Sequence, residues 1–472
     1  MTRTPHFGSI GAATVRERLP LLRSLTLAAL MILAAPAAAQ ERLAVKGGKV
    51  IPVAGPPIEG GVVLIRNGKI EAVGKNVPIP ADAKVIDATG KVVVPGFVEA
   101  HSSRGMDQPN ESNPNVPFLS VLDALDPSAE WFDECRRNGV TTALVIPGNA
   151  TMLGGQGAIV KTAGGYVDEM IAKRSAGIKI SLKPTADRNR MGHLALLRKE
   201  LDDARDALKT SEAKVEAKPE VKAADGGIGE GGAAAEDRQP PPRQRPGQRP
   251  GQGGPAGRND PTDATLVREA LGKLLKGESL AVVYCELAMD VPQAIKLIND
   301  YKLKGVLVLG QDCYKAAKEI AKSKLPVVLD PTLVFWETDP RTGEEKQIVL
   351  PKVYREAGVS VTFQSTGIAA GNLFRAPPLP PTVGTNYLWY QAATAVKYGT
   401  PADEALAAVT RDAAKVIGAD KFAGTLEPGK DGDLVILTGD PLKLGTWVET
   451  TVVNGKVVYE RENDRKIKQL MK

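Results

Sequence analysis

Hydrophobic and polar positions change rhythm along this chain of 472 residues. From Arg42 to Asp87 short apolar runs alternate with turn residues, LAVKGGKVIPV and then GGVVLIRNGKIEAVG. Asn67-Gly68 predicts a type I′ hairpin, because that turn needs positive φ at both central positions. The C-terminal end has the same rhythm in GTLEPGKDGDLVIL (Gly424 to Leu437) and TTVVNGKVVYE (Thr450 to Glu460), with Asn454-Gly455 at the second turn. Two β-rich ends, 40–92 and 421–472, therefore predict one small β-sandwich built from both termini.

Between them the period alternates. VTTALVIPG (Val140 to Gly148) follows the helical SAEWFDECRRNG, and SLAVVYCE (Ser279 to Glu286) precedes VPQAIKLINDYK. KGVLVLG (Lys304 to Gly310), LPVVLD (Leu325 to Asp330) and VSVTFQS (Val359 to Ser365) continue the series with helical stretches between them. Repeated βα units predict an α/β fold with a parallel sheet, here a (β/α)8 TIM barrel over 93–420. No Gly-x-Gly-x-x-Gly follows a strand, which argues against a dinucleotide site.

Two stretches stand outside this scheme. Residues 1–39 carry arginines at 3, 16, 18 and 23, an apolar run from Leu25 to Ala35, and Ala37-Ala38-Ala39 before Gln40. That pattern predicts a secretory leader and an exported, periplasmic or extracellular protein without a stable membrane span. Leu194 to Ala217 is charged and helix-prone, and the barrel connection then loses all period over 218–261, which reads as a disordered Gly/Pro/Arg insertion. An alternative makes that insertion an arm for an anionic envelope partner.

Composition adds exclusions. The formal charge is +6, but four arginines against one glutamate in 1–39 and five arginines in 238–258 account for more than all of it. The folded body is close to neutral, so nucleic acid is not an expected partner. Three cysteines, Cys135, Cys285 and Cys313, are too few for a disulfide framework or a cysteine-based zinc site. They read as packing thiols, with a Cys285–Cys313 pair as the open alternative.

The chemistry begins at VVVPGFVEAHSSRG (Val92 to Gly105), where a β-branched run breaks at Pro95-Gly96 and resumes to end at His101. Pro95-Gly96-Phe97-Val98-Glu99-Ala100-His101 resembles the first barrel strand of the amidohydrolase superfamily, Pro-Gly-Phe/Leu-Ile/Val-Asp-x-His-x-His, and Ser103 stands where the second histidine would be. Gly424 to Val435 resembles the superfamily's Gly-x-Leu-Glu-Pro-Gly-Lys-x-Ala/Gly-Asp-Leu-Val mark. The pattern is nearest to imidazolonepropionase-like exported members.

The resemblance implies carbon–nitrogen bond hydrolysis on one or two divalent metals, and it allows a homodimer. Its ligands would be a first-strand histidine pair, a carboxylated lysine or glutamate midway, two later histidines and a final aspartate. Here Tyr284 stands at the first later histidine, Val308-Leu309-Gly310 at the second, and Gln364-Ser365 where the last strand should end in aspartate. The chain has three histidines, and neither His6 nor His193 lies at a strand end. Zinc takes about three protein ligands and a water. The candidate metal set is therefore His101, Lys161 (in GGQGAIVKTAG) and Glu286, with Asp312 and Asp330 as further carboxylates for Mn²⁺ or Ca²⁺.

The resulting expectation is a member of this architecture that has lost most of its metal centre, with no cofactor, binding a small polar ligand or acting as a scaffold. Ser103, Arg104, Tyr284, Gln364 and Ser365 would line its mouth. The alternative is a hydrolase with a rebuilt Zn²⁺ or Mn²⁺ site. A serine nucleophile at Ser102, Ser103 or Ser365 with His101 as base is a further reading.

Overall fold

The computed structural model of the protein describes residues 41–216, 261–365, 387–443 and 445–470. The predicted leader lies outside the described residues, as does the predicted disordered insertion except for Pro261, which heads a helix. Strands β1 (Arg42–Val50), β2 (Ile58–Arg66), β3 (Lys69–Gly74), β4 (Lys84–Asp87) and β5 (Val92–Pro95) come first. They are followed by β6 (Phe97–Ser102), α1 (Glu130–Arg137), β7 (Val140–Val145), β8 (Leu153–Lys161) and β9 (Ile171–Ser181). Two helices packed on each other, α2 (Arg190–Glu216) and α3 (Pro261–Leu275), lead back to the sheet.

The second half alternates as its period predicts. It runs through β10 (Ala281–Cys285), α4 (Asp290–Asp300), β11 (Gly305–Leu309), α5 (Ala317–Ser323) and β12 (Val327–Val328). A hairpin, β13 (Val334–Thr338) and β14 (Glu345–Val349), precedes α6 (Leu350–Glu356) and β15 (Val361–Thr362). Helices α7 (Leu388–Lys397), α8 (Ala402–Ala408) and α9 (Arg411–Ile417) precede β16 (Leu434–Leu437), β17 (Val448–Val453) and β18 (Lys456–Glu460).

The two β-rich ends do meet, in one eight-stranded sheet ordered β18-β17-β16-β5-β1-β2-β3 with β4 also on β1. Strand β5 stitches them together, parallel to β1 at Val50↔Val93 and antiparallel to β16 at Ile436↔Val93. The expected two-sheet sandwich is thus a single hydrogen-bonded sheet with one core, in which Leu43, Val45 and Ile65 pack with Leu434, Ile436 and Val452. Both Asn-Gly hairpins carry positive φ at each central residue, 49° and 78° at Asn67-Gly68 and 49° and 73° at Asn454-Gly455, as a type I′ turn requires.

The central sheet is ordered β15-β12-β11-β10-β9-β8-β7-β6 and is nearly closed. It departs from a strict (β/α)8 repeat at one strand: β8 runs antiparallel to both β7 and β9. Connection length explains this. Parallel neighbours need a crossover of about a dozen residues or more, whereas only residues 146–152 join β7 to β8 and only 162–170 join β8 to β9.

One face of this sheet is read from its register. Val282 pairs with Lys179 and Val306, Tyr284 with Val308, and Val308 with Val328, which pairs with Thr362. These residues share the inner face, where Val282, Val306, Val308 and Val328 pack with Ala413, Ala414 and Ile417 of α9. Gly96 lets β6 start against β7, since a Cβ there would fall 2.0 Å from Thr141 Oγ1. At the seam Val98 N–H donates to Val409 O at 2.8 Å, so β6 leans on the segment between α8 and α9 rather than on β15.

Candidate functional site

All six residues of β6 are buried, and the register against β7 slips between Glu99 and Ser102. His101 lies in that slipped stretch and is 6% exposed. Its Nδ1–H donates to Gln364 Oε1 at 2.7 Å. The direction follows from Gln364, whose Nε2 donates to Leu329 O at 2.8 Å and so leaves Oε1 as the acceptor. Gln391 Nε2 in turn donates to Gln364 O at 2.6 Å. The imidazole is therefore held as the Nδ1–H tautomer, with the Nε2 lone pair aimed inward.

Lys179 meets that lone pair. It stands midway along the sheet on β9, is 0% exposed, and places Nζ 2.7 Å from His101 Nε2 and 5.5 Å from the centre of the Tyr284 ring. Burial lowers its pKa to about 7, and no carboxylate ion-pairs with it among the described residues. Burial, together with the charge of Lys179, holds His101 well below the ordinary histidine value.

A second buried pair closes the seam. Glu99, 1% exposed, accepts the Ser365 backbone N–H at 3.0 and 3.1 Å and the Ser365 hydroxyl at 2.5 Å. Burial raises its pKa to about 7 against the opposing effect of those hydrogen bonds. The sheet edges that backbone pairing leaves apart are thus bridged by Glu99–Ser365 and His101–Gln364.

The sequence-derived candidates divide accordingly. His101, Gln364, Ser365 and Tyr284 do converge at the mouth. Ser103 is half-buried where β6 ends, and Arg104, also half-buried, pairs with Glu134 at 2.9 Å.

Lys161 lies elsewhere. Because β8 is antiparallel, its last residue pairs with Thr142 near the start of β7, at the end of the sheet away from the mouth. There Lys161 Nζ reaches Asp433 at 2.5 Å and Asp431 at 2.7 Å, tying the two sheets together.

Glu286 also falls outside the centre. It follows the last residue of β10 and pairs with Lys183 at 2.7 Å and Arg190 at 3.2 Å. The other carboxylates organise loops: Asp312 accepts Ala288 N–H at 2.9 Å and Asp330 accepts Thr332 N–H at 2.8 Å. Cys285 and Cys313 are separate buried thiols, with Cys313 Sγ donating to Cys285 O at 3.3 Å.

Two residues of the centre, Lys179 and Glu99, carried no expected role. The signal for Lys179 was a single lysine flanked by isoleucines in GIKIS, an inward position on a buried strand. Glu99 stands at the acidic position of the first-strand pattern.

As they stand, these side chains do not fit a metal ion. A ligating histidine needs one nitrogen free, and His101 has Nδ1 on Gln364 and Nε2 on Lys179. Among the described residues no group of three His, Cys, Asp or Glu side chains is arranged to hold a metal.

Comparison with known proteins bears on the whole architecture. The Amidohydrolase family profile matches residues 391–459, which run from within α7 to within β18. Amidohydrolase tasK of Hapsidospora irregularis is 23% identical over 428 residues, covering 83% of this chain but 39% of tasK. The 5-methylthioadenosine/S-adenosylhomocysteine deaminase of Moorella thermoacetica is 23% identical over 450 residues, 89% of this chain and 94% of the deaminase. Among solved structures, an amidohydrolase from Thermotoga maritima superposes with a TM-score of 0.69 at 26% identity, over 89% of this chain and 100% of that one.

Proposed function

The chain belongs to the amidohydrolase superfamily, and from that premise we propose that it binds a small polar ligand at the barrel mouth through a Lys179–His101–Gln364 centre in place of the superfamily's metal. The observation that carries this reading is the contact at His101 Nε2. A metal-ligating imidazole donates one N–H to an orienting partner and offers the other nitrogen to the ion. His101 is oriented in that way by Gln364, but the group on its free lone pair is the amine of Lys179. A proton shared between two nitrogens takes the place of a divalent cation. Together with Tyr284, these donors suit a ligand that brings an acceptor oxygen.

A second reading is favoured by the same lysine. Lys179, rather than Lys161, stands on the midway strand, and burial lowers its pKa to about 7, so a substantial share of the amine is neutral near pH 7. A neutral amine attacks the carbon of carbon dioxide and releases one N–H proton to solvent, giving a carbamate that with His101 would offer a divalent metal an oxygen and a nitrogen donor. The protein would then be a hydrolase of carbon–nitrogen bonds, the class to which its deaminase relatives point.

Elemental analysis and intact mass separate the two readings. Wild type, His101→Ala and Lys179→Met would be purified without chelator and incubated with Zn²⁺ or Mn²⁺, with and without bicarbonate. The binding reading expects no stoichiometric metal in any sample, together with thermal stabilisation by small polar compounds that Lys179→Met abolishes. About one metal per wild-type chain, dependent on bicarbonate and lost in both variants, would replace it with the hydrolase reading.

A further inference from the structure

We propose that the end of the barrel opposite the mouth carries a second binding site, for a small anion with an apolar body, in the cleft where the starts of β12 and β15 meet α9. This site uses neither His101 nor Lys179. The cleft encloses about 590 Å³, within the span of roughly 300–1,000 Å³ usual for small-molecule sites. Its walls are formed by the end of α5 with the approach to β12, by residues 358–362, and by one side of α9.

Charge in the cleft is one-sided. Arg411, Lys324 and Lys415 line it against a single acid, Asp412. Asp412 is already engaged: Arg411 Nε donates to it at 2.8 Å and a second guanidinium nitrogen at 3.3 Å. Neither Lys324 nor Lys415 takes part in an ion pair among the described residues. Two uncompensated ammonium groups on one concave surface focus a positive potential that an anion relieves. Leu325, Val359 and Val361 supply an apolar wall beside them.

Backbone conformation adds a separate observation. Lys324 caps α5 in the left-handed region at φ 57°. Glycine adopts that conformation at lower cost, and it is the usual residue one past a helix end. The lysine therefore keeps a cationic side chain at the cleft at a position where the backbone alone would favour having none.

The test uses the full chain, with octanoate as the anionic probe and octanol as its neutral counterpart, followed by titration calorimetry at low and raised salt. The variant is Lys324→Gly with Lys415→Gln, chosen because glycine suits the left-handed cap and leaves the fold intact. The expected result is saturable one-site binding of octanoate, weakened by salt and by about tenfold or more in the double variant, with no binding of octanol. His101→Gln should bind octanoate as wild type does, so failure here and failure of the mouth reading are distinguishable. Octanoate binding that survives the double variant, equal binding of octanol, or no saturable binding at all would each overturn the proposal.

Discussion

Lys179 Nζ stands 2.7 Å from His101 Nε2, an amine on the lone pair that a metal-binding imidazole would offer to its ion. Gln364 fixes that lone pair by accepting the hydrogen bond of Nδ1–H, so three side chains from β6, β9 and the end of β15 lock one another.

The first prediction follows from burying this lysine without a counter-charge. Its folded pKa, about 7, is depressed from 10.5. The folded state therefore binds fewer protons than the unfolded state between those values, and stability rises with pH across that window. Its contribution is fully present above the unfolded value and is lost as pH falls through 7. Urea unfolding of wild type should show a gain of about 2–3 kcal/mol between pH 7 and 9, and Lys179→Met should abolish it. A slope that persists in the variant assigns the titration to other groups.

Glu99 has the opposite sign. Its folded pKa is raised from 4.5 to about 7, so its contribution is present below 4.5 and is lost as pH rises to 7. Stability should fall by about 3 kcal/mol across that interval. Glu99→Gln, measured by urea unfolding at pH 5 and pH 8, should flatten the fall and match or exceed wild type at the higher pH. If both groups behave as argued, wild-type stability passes through a minimum near neutrality.

Gln364 is predicted to act through orientation. Gln364→Leu leaves the His101 Nδ1–H and the Leu329 carbonyl without partners. Each buried orphan costs about 1–3 kcal/mol, so a loss of roughly 2–4 kcal/mol is expected. The nitrogen-15 shifts of the His101 ring should at the same time lose the signature of a single Nδ1–H tautomer. Unchanged shifts would show that Lys179 alone sets the tautomer.

Lys161 is predicted to be structural. Replacing it by Met would leave Asp433 buried at the junction of the two sheets without its cation, while Asp431 keeps its pair with Lys69. Breaking a buried pair in this way costs about 3–5 kcal/mol. The denaturation midpoint should fall accordingly, while ligand binding at the mouth survives in whatever fraction remains folded. Selective loss of ligand binding without loss of stability would return Lys161 to the site.

Much of the fold was legible along the chain because its signals are local. Asn67-Gly68 and Asn454-Gly455 need only their own backbone to make a type I′ turn. The β-branched runs at 140–145, 281–285 and 305–309 announce buried strands whatever surrounds them. His101 was marked because a polar residue closes a buried run. The sequence does not separate the places of Lys161 and Lys179 for one reason: the run from Leu153 to Ser181 contains two strands, and only the short links at 146–152 and 162–170 turn the first one around.

The sequence by itself determined which segments are strands and helices, that both ends share one sheet's chemistry, and that the usual histidines are missing. Those properties depend on side-chain type and spacing over a few residues. Tertiary structure alone decided that β8 reverses, that β5 joins the two ends into one sheet, and that Lys179 faces His101 across the barrel. The Lys179–His101 contact joins residues 78 positions apart, where closure of the sheet, rather than local preference, determines which side chains meet.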